Sequence, residues 1–201
     1  IDEVATAIGM DSRIGPKFLK SGPGFGGSCF KKDILNLIYI SNYYGLNKVS
    51  RYWERVIEIN EWQQNRIIEI IVNKLFGTIT GKVITVLGFA FKSNTNDTRE
   101  SPAIKICKDL IEEGAKLSIY DPKVSQLKIE NDLSLKPSIS SEQFNEKGSW
   151  NYCNSVLEAS CDSDAILVLT EWEEFHSIDW QAIAKVTRSP TWLFDTRNIC
   201  D

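Results

Sequence analysis

At 201 residues, 42% hydrophobic and 25% charged, the chain has the make-up of an ordinary soluble globular protein and the length for one large domain or two small ones. A net charge of -4 argues against a nucleic-acid or anionic-membrane partner. No apolar run approaches the roughly 20 residues that a bilayer span needs, and no signal-peptide pattern opens the chain.

Residues 1–80 read as helical. A short amphipathic stretch over 2–8 is broken by Gly15, Pro16 and the run SGPGFGG at 21–27. A helix is predicted from about Ser28, with Ile34, Leu37, Ile38 and Ile40 on one face, until Gly45 interrupts it. The longest periodic stretch, 49–76, repeats Trp53, Val56, Ile57, Asn60, Ile67, Ile71 and Leu75 at three- and four-residue steps, with Gly77 as its stop. Such a helix spans about 40 Å, which suits a connector or dimer spine as well as an ordinary long helix with one buried stripe.

From residue 81 onward strands and helices alternate. The apolar run 83–87 suits a strand covered on both faces. Ser101 and Pro102 supply an N-cap and first-turn proline for a helix ending at Gly114. A second strand over 117–120 runs into Asp121-Pro122, and the polar stretch 123–147 reads as a long surface loop or insertion. A helix over 154–160, a strand over 165–169, a helix over 179–186 and a strand over 192–194 complete the pattern. These units imply an α/β fold, a helical segment followed by a Rossmann-like doubly wound parallel sheet, with a domain border at 80/81.

The five cysteines (Cys29, Cys107, Cys153, Cys161, Cys200) show no disulfide density and no CxxC spacing, so a reducing, cytosolic setting without a metal site is expected. One histidine, His176, leaves little material for a histidine-based triad. Gly22-Pro-Gly24-Phe-Gly26-Gly27 matches GxGxxG, but no strand precedes it, so a dinucleotide fingerprint is rejected. It reads instead as a loop feeding a helix N-terminus, with Cys29 in the first turn. There free backbone N–H groups and the helix dipole stabilise a thiolate, helped by Lys31 and Lys32. Asp33 lies one turn on, placed to hold a water or a lysine. The bland reading, a small buried cysteine beside a turn, stays open at this level. Lys92 and Arg99 bracket a polar loop suited to phosphate. Asp121 is either a ribose-binding acid or a turn residue, and Arg197 either reaches the same sheet edge or is a solvated charge.

GFGGSCFKKD at 24–33 resembles the active-site signature of the UDP-glucose 6-dehydrogenases, in the UDP-glucose/GDP-mannose dehydrogenase family. LGFAFK at 87–92, DTRES at 97–101, YDP at 120–122, TEW at 170–172 and FDTR at 194–197 follow in that family's order. The likeness covers nearly the whole chain, is strongest up to residue 122, and is closest to the animal-type branch. It implies an NAD-dependent oxidoreductase that oxidises C6 of UDP-glucose twice to UDP-glucuronate. Cys29 would carry a thiohemiacetal and then a thioester, and Asp33 would orient water. The resemblance gives substrate contacts to Lys20, Ser21, Gly22, Pro23, Gly24, Phe25, Gly26, Phe91, Lys92 and Arg197, and to Arg13 from a neighbouring subunit. It gives cofactor contacts to Cys29, Phe30, Lys31, Lys32 and Arg99, and self-association to the long helix. Both ends look cut. The family's N-terminal NAD domain, its catalytic glutamate and an upstream lysine and asparagine are missing, so the residues here are expected to be inactive alone. The alternatives are a related UDP-sugar dehydrogenase and a non-catalytic nucleotide-sugar-binding or dimerisation module.

Overall fold

The computed structural model describes residues 1–138 and 148–200. Five short strands form one parallel sheet: β1 (Val83–Leu87), β2 (Lys116–Tyr120), β3 (Ser149–Tyr152), β4 (Ala165–Val168) and β5 (Trp192–Asp195), in the order β3-β2-β1-β4-β5. β1 is the middle strand, flanked by β2 and β4; β1 and β4 read VITVL and AILV, because a strand covered on both faces has no solvent side toward which to alternate. All of β4 is buried. The one hydroxyl in β1, Thr85, donates to Ala159 O at 2.7 Å, which removes the cost of burying it. The α/β fold expected from the alternating pattern is the fold observed.

The connecting helices begin where polar side chains can cap them. α4 (Pro102–Glu112) starts at Ser101, whose Oγ accepts from Ala103 N–H and donates to Phe89 O at 2.8 Å, and buries Ile106, Cys107 and Leu110. α6 (Val156–Ser160) is capped by Ser155, which accepts from Glu158 N–H, and Glu158 in turn accepts from Asn154 N–H ahead of the cap. α7 (Trp180–Val186) is capped by Asp179, which accepts from two backbone N–H groups.

The expected loop over 123–147 is a correction. Residues 126–133 form α5 (Gln126–Leu133), and β3 adds an edge strand beside β2. Residues 139–147 of that stretch lie outside the described residues.

The helical part consists of α1 (Asp2–Gly9), α2 (Phe30–Tyr43) and α3 (Asn47–Lys74). α2 and α3 pack together through a turn at Gly45, which takes φ +70°. The C-terminal half of α3 (Ile67, Ile68, Ile71, then Leu75) joins the sheet's core and packs on α4. Each such side chain contributes on the order of 1.5–3 kcal/mol by leaving water. Lys74 Nζ stands 4.9 Å over the Trp192 ring, tying the end of α3 to β5. On α2 the expected stripe is buried at Ile34 and half-buried at Ile38, while Leu37 and Ile40 are over 40% exposed.

Candidate active site

The glycine run at 22–27 lies between α3 and the loop that follows β1, and each contact needs the absence of a side chain. At Gly24, φ +130°, a Cβ would fall 2.7 Å from Asn60 Oδ1. At Gly26 it would fall 2.4 Å from Glu100 O, and at Gly27 3.0 Å from the Phe91 ring. Backbone pairing holds what this close approach allows. Phe25 N–H donates to Asn60 Oδ1 at 2.7 Å, Asn60 Nδ2 to Phe25 O at 3.3 Å, and Gln63 Nε2 to Gly22 O at 3.3 Å. On the sheet side Gly27 N–H donates to Arg99 O at 2.9 Å.

This docking delivers Cys29 as the residue immediately before α2, exposed, with Ser28 Oγ 3.7 Å from its sulfur. The next residue, Phe30, packs its ring edge-on to Phe25 at 4.7 Å. Lys31 forms a 2.7 Å ion pair with Glu100. Asp33 donates its N–H to Cys29 O one helical turn on, and its side chain is exposed.

Arg99 is tied to Asp97 through Nε and Nη2, at 2.7 Å for the closest contact. That pair raises the guanidinium's pKa and holds the Asp97 carboxyl at about 2; the Cys29 sulfur also acts on Arg99 electrostatically. Lys92 Nζ stands 5.4 Å over the Phe91 ring and is exposed.

Arg197 lies just past β5 and is largely buried. Its Nε donates to Leu169 O at 2.7 Å, and Nη1 lies 3.0 Å from Glu171 Oε2. A Cβ on Gly22 would meet Nη1 at 3.0 Å. Burial lowers the Arg197 pKa, while Glu171 and Asp195 pull it up. Asp195 positions this segment, its carboxylate accepting from the N–H groups of Arg197, Asn198, Ile199 and Cys200. A cleft of about 460 Å³ opens here, lined by Ser21, Gly22, Gln63, Arg66 and Thr196 among others, within the size range of small-molecule sites. The Ser21 hydroxyl is buried without a hydrogen-bond partner among the described residues.

Of the residues singled out in the sequence, the chain brings together Gly22, Pro23, Gly24, Phe25, Gly26, Cys29, Phe30, Lys31, Phe91, Arg99 and Arg197. Arg13 stands apart, highly exposed and paired with Asp11. Lys20 and Lys32 are exposed as well. Asp121 serves the turn, with no acceptor capacity left over for a ribose. It is 1% exposed; Oδ2 accepts from Phe89 N–H, Ala90 N–H and Trp172 Nε1, and Oδ1 from Lys123 and Val124 N–H. The crevice where the strand order reverses, between β1 and β4, is closed too. A Cβ on Gly88 would fall 2.4 Å from Thr170 Cβ, and Thr170 Oγ1 donates to Ala90 O. Asn60, Gln63, Glu100 and Glu171 were not singled out as site residues. Asn60 left a trace as a polar residue inside the apolar stripe of α3, and Glu100 and Glu171 lie within the DTRES and TEW motifs, whereas Gln63 left none.

The architecture superposes on solved dehydrogenases of nucleotide sugars. A UDP-glucose dehydrogenase from Pyrobaculum islandicum matches with TM-score 0.76 and 28% identity over 98% of this chain and 40% of its own. A UDP-D-ManNAc dehydrogenase from Pyrococcus horikoshii matches with TM-score 0.73 and 25% identity, again over 98% and 40%. The fold is that of the UDP-sugar dehydrogenases. Residues 85–201 match the UDP binding domain of the UDP-glucose/GDP-mannose dehydrogenase family, and residues 1–62 its central domain. The chain belongs to that family. UDP-glucose 6-dehydrogenase 2 of Oryza sativa subsp. japonica is 45% identical over 100% of this chain and 43% of its own length. UDP-glucose 6-dehydrogenase 4 of Arabidopsis thaliana is also 45% identical, over 99% and 43%. The chain thus spans under half the length of these plant relatives, which do not single out an animal-type branch.

Proposed function

We propose that these residues form the UDP-sugar-binding and cysteine-bearing part of an NAD-dependent UDP-glucose 6-dehydrogenase, which converts UDP-glucose to UDP-glucuronate in the cytosol. The observation that carries this is the docking of the glycine loop onto the loop after β1. It supports a site in which Cys29 faces the same space as Phe91, Lys92 and Arg99. Here residues 1–80 present the nucleophile, residues 81–201 hold the nucleotide, and α3 is the surface through which copies associate.

Cys29 would add its sulfur to the C6 aldehyde, keeping it on the protein as a thiohemiacetal, and would carry the acid level as a thioester. Asp33 would orient the water that opens the thioester, the acyl group leaving as carboxylate and the sulfur as thiolate. Lys20 and the loop at 21–26 would wrap the sugar nucleotide, Phe91, Lys92 and Arg197 would hold it, and Arg13 would reach it from a neighbouring copy. The closed β1/β4 crevice does not fit a dinucleotide, so only one edge of it would meet this chain, at the rim around the α2 N-terminus. Phe30, Lys31, Lys32 and Arg99 would lie along that edge beside Cys29. NAD, when bound, accepts the two hydrides. Turnover by the 201 residues alone is not expected.

Calorimetry on the 201-residue chain tests the assignment. UDP-glucose should bind measurably, more tightly than UDP-N-acetylmannosamine, and NAD only weakly. Lys92→Ala should weaken UDP-glucose binding by about 1.5–3 kcal/mol, the range of a charged hydrogen bond. Tight NAD binding with no response to UDP-glucose would refute it.

A further inference from the structure

The glycine loop is held on one flank by the sheet domain, through Arg99 O on Gly27 N–H. On the other flank it is held by a side chain, and that side chain is Asn60. A primary amide presents one acceptor and one donor side by side. Asn60 uses both on a single residue, taking Phe25 N–H at 2.7 Å and giving to Phe25 O at 3.3 Å, as a neighbouring strand would. The loop is shaped to admit it. Gly24 adopts φ +130°, and any Cβ there would stand 2.7 Å from Asn60 Oδ1. From Phe25 the restraint passes to the helix, because the Phe25 ring stacks edge-on against Phe30, the residue bonded to Cys29. Asn60 itself is fixed in the interior of α3.

We infer that Asn60 is a positioning residue for Cys29: by pairing with the Phe25 backbone it sets where the α2 N-terminus, and the thiol on it, stands against the sheet. This rests on the proposal that Cys29 is the nucleophile. Arg99, on the sheet side, interacts electrostatically with the Cys29 sulfur, so a loop released from α3 lets the thiol drift away from that cation. Gln63, bonded farther back at Gly22 O, acts on the same loop with less leverage on the thiol.

The test is the alkylation rate of each cysteine in the 201-residue chain, measured with limiting iodoacetamide and peptide mapping. Cys161 is exposed and lies at the end of α6, outside the site, so it serves as internal reference. Cys107 is buried and reports global opening. Asn60→Ala should lower the ratio of Cys29 to Cys161 labelling about fivefold or more, with Cys107 still protected. Asn60→Ser, which stays polar but is too short to pair with both groups, should do the same and guards against a variant that fails to fold. Gln63→Ala should change the ratio by less than about twofold. If Cys29 is unchanged or faster in both Asn60 variants while Cys107 stays protected, the positioning role is wrong. If Cys29 in the unsubstituted protein labels no faster than Cys161, the nucleophile assignment fails and takes this inference with it. A fast Cys29 indifferent to Asn60 sinks the inference alone.

Discussion

The sheet and the helices that precede it bury their apolar residues to very different extents. In the sheet the central strands are closed to solvent on both faces, and even the connecting helix α4 hides Ile106, Cys107 and Leu110 completely. In the helical part α1 buries nothing, α2 buries only Ile34 and Ser41, and Tyr52, Ile59 and Trp62 of α3 are each about 60% exposed. The sheet's stability is therefore internal, whereas the helical part carries apolar surface that its own fold does not use. That division suits the roles proposed for the two regions, a rigid platform for the nucleotide and an associating element that brings a cysteine to it.

Thiol chemistry gives the largest contrast. Cys107 sits in the core, where burial pushes its pKa up, while Cys29 stands in the open. Iodoacetamide at pH 8 should modify Cys29 at least about a thousandfold faster, because Cys107 reacts only when the domain opens. Comparable rates would show the sheet to be loose and erase the distinction. Cys153, held at about 11 mainly by burial, should fall between them.

Side-chain truncation sharpens the comparison energetically. Leu117→Ala, at a fully buried position of β2, should cost about 3–5 kcal/mol in urea unfolding. Ile59→Ala, at 64% exposure, should stay within about 0.5 kcal/mol in the dissociated chain. Trp62 probes the face proposed to associate. It is 58% exposed with Arg66 stacked 5.6 Å over its ring, and Trp62→Ala should weaken self-association by about 2 kcal/mol in sedimentation velocity. A chain that is monomeric with either residue would leave the helical surface without its proposed use.

The smallest effect is a pH dependence. Asp97 is held at about 2 by Arg99, below its ordinary 3.8. A lowered carboxyl stabilises the fold fully above pH 3.8 and loses that contribution as pH falls toward 2. The pair is solvent-screened on its Arg99 side, so Asp97→Asn should cost under about 1 kcal/mol at pH 7, a cost that shrinks as pH falls through 2 and is gone only below it.

How much of this was readable in advance follows from the range of the interactions. β1 and β4 announce themselves by continuous apolar runs, and α4 and α7 by Ser101 with Pro102 and by Asp179, all local signals. β3 does not, since in SWNY only Trp150 is buried and an edge strand of four residues needs no periodicity. α5 is equally quiet, burying only Ile129 and Leu133 and capped by no side chain. At the site, Cys29 and its glycines are contiguous and stand out in the sequence. What holds them is not contiguous. Asn60 is 35 residues from Phe25, and the partner of Gly27 is a backbone carbonyl, which no residue type advertises. The ribose-binding possibility for Asp121 failed for a similar reason, because its five donors come from three separate segments.

Those five donors have a dynamic consequence. One carboxylate joins the loop after β1, through Phe89 and Ala90, to the turn after β2, through Lys123 and Val124, and to the segment after β4, through Trp172. Three loops that would otherwise fluctuate independently at the sheet's carboxyl edge share a single hinge point. They are expected to move as one body, with correlated amide exchange across all three. A ligand that grips Phe91 or Lys92 on the first loop would then quiet residues at the far end of the second and third without touching them.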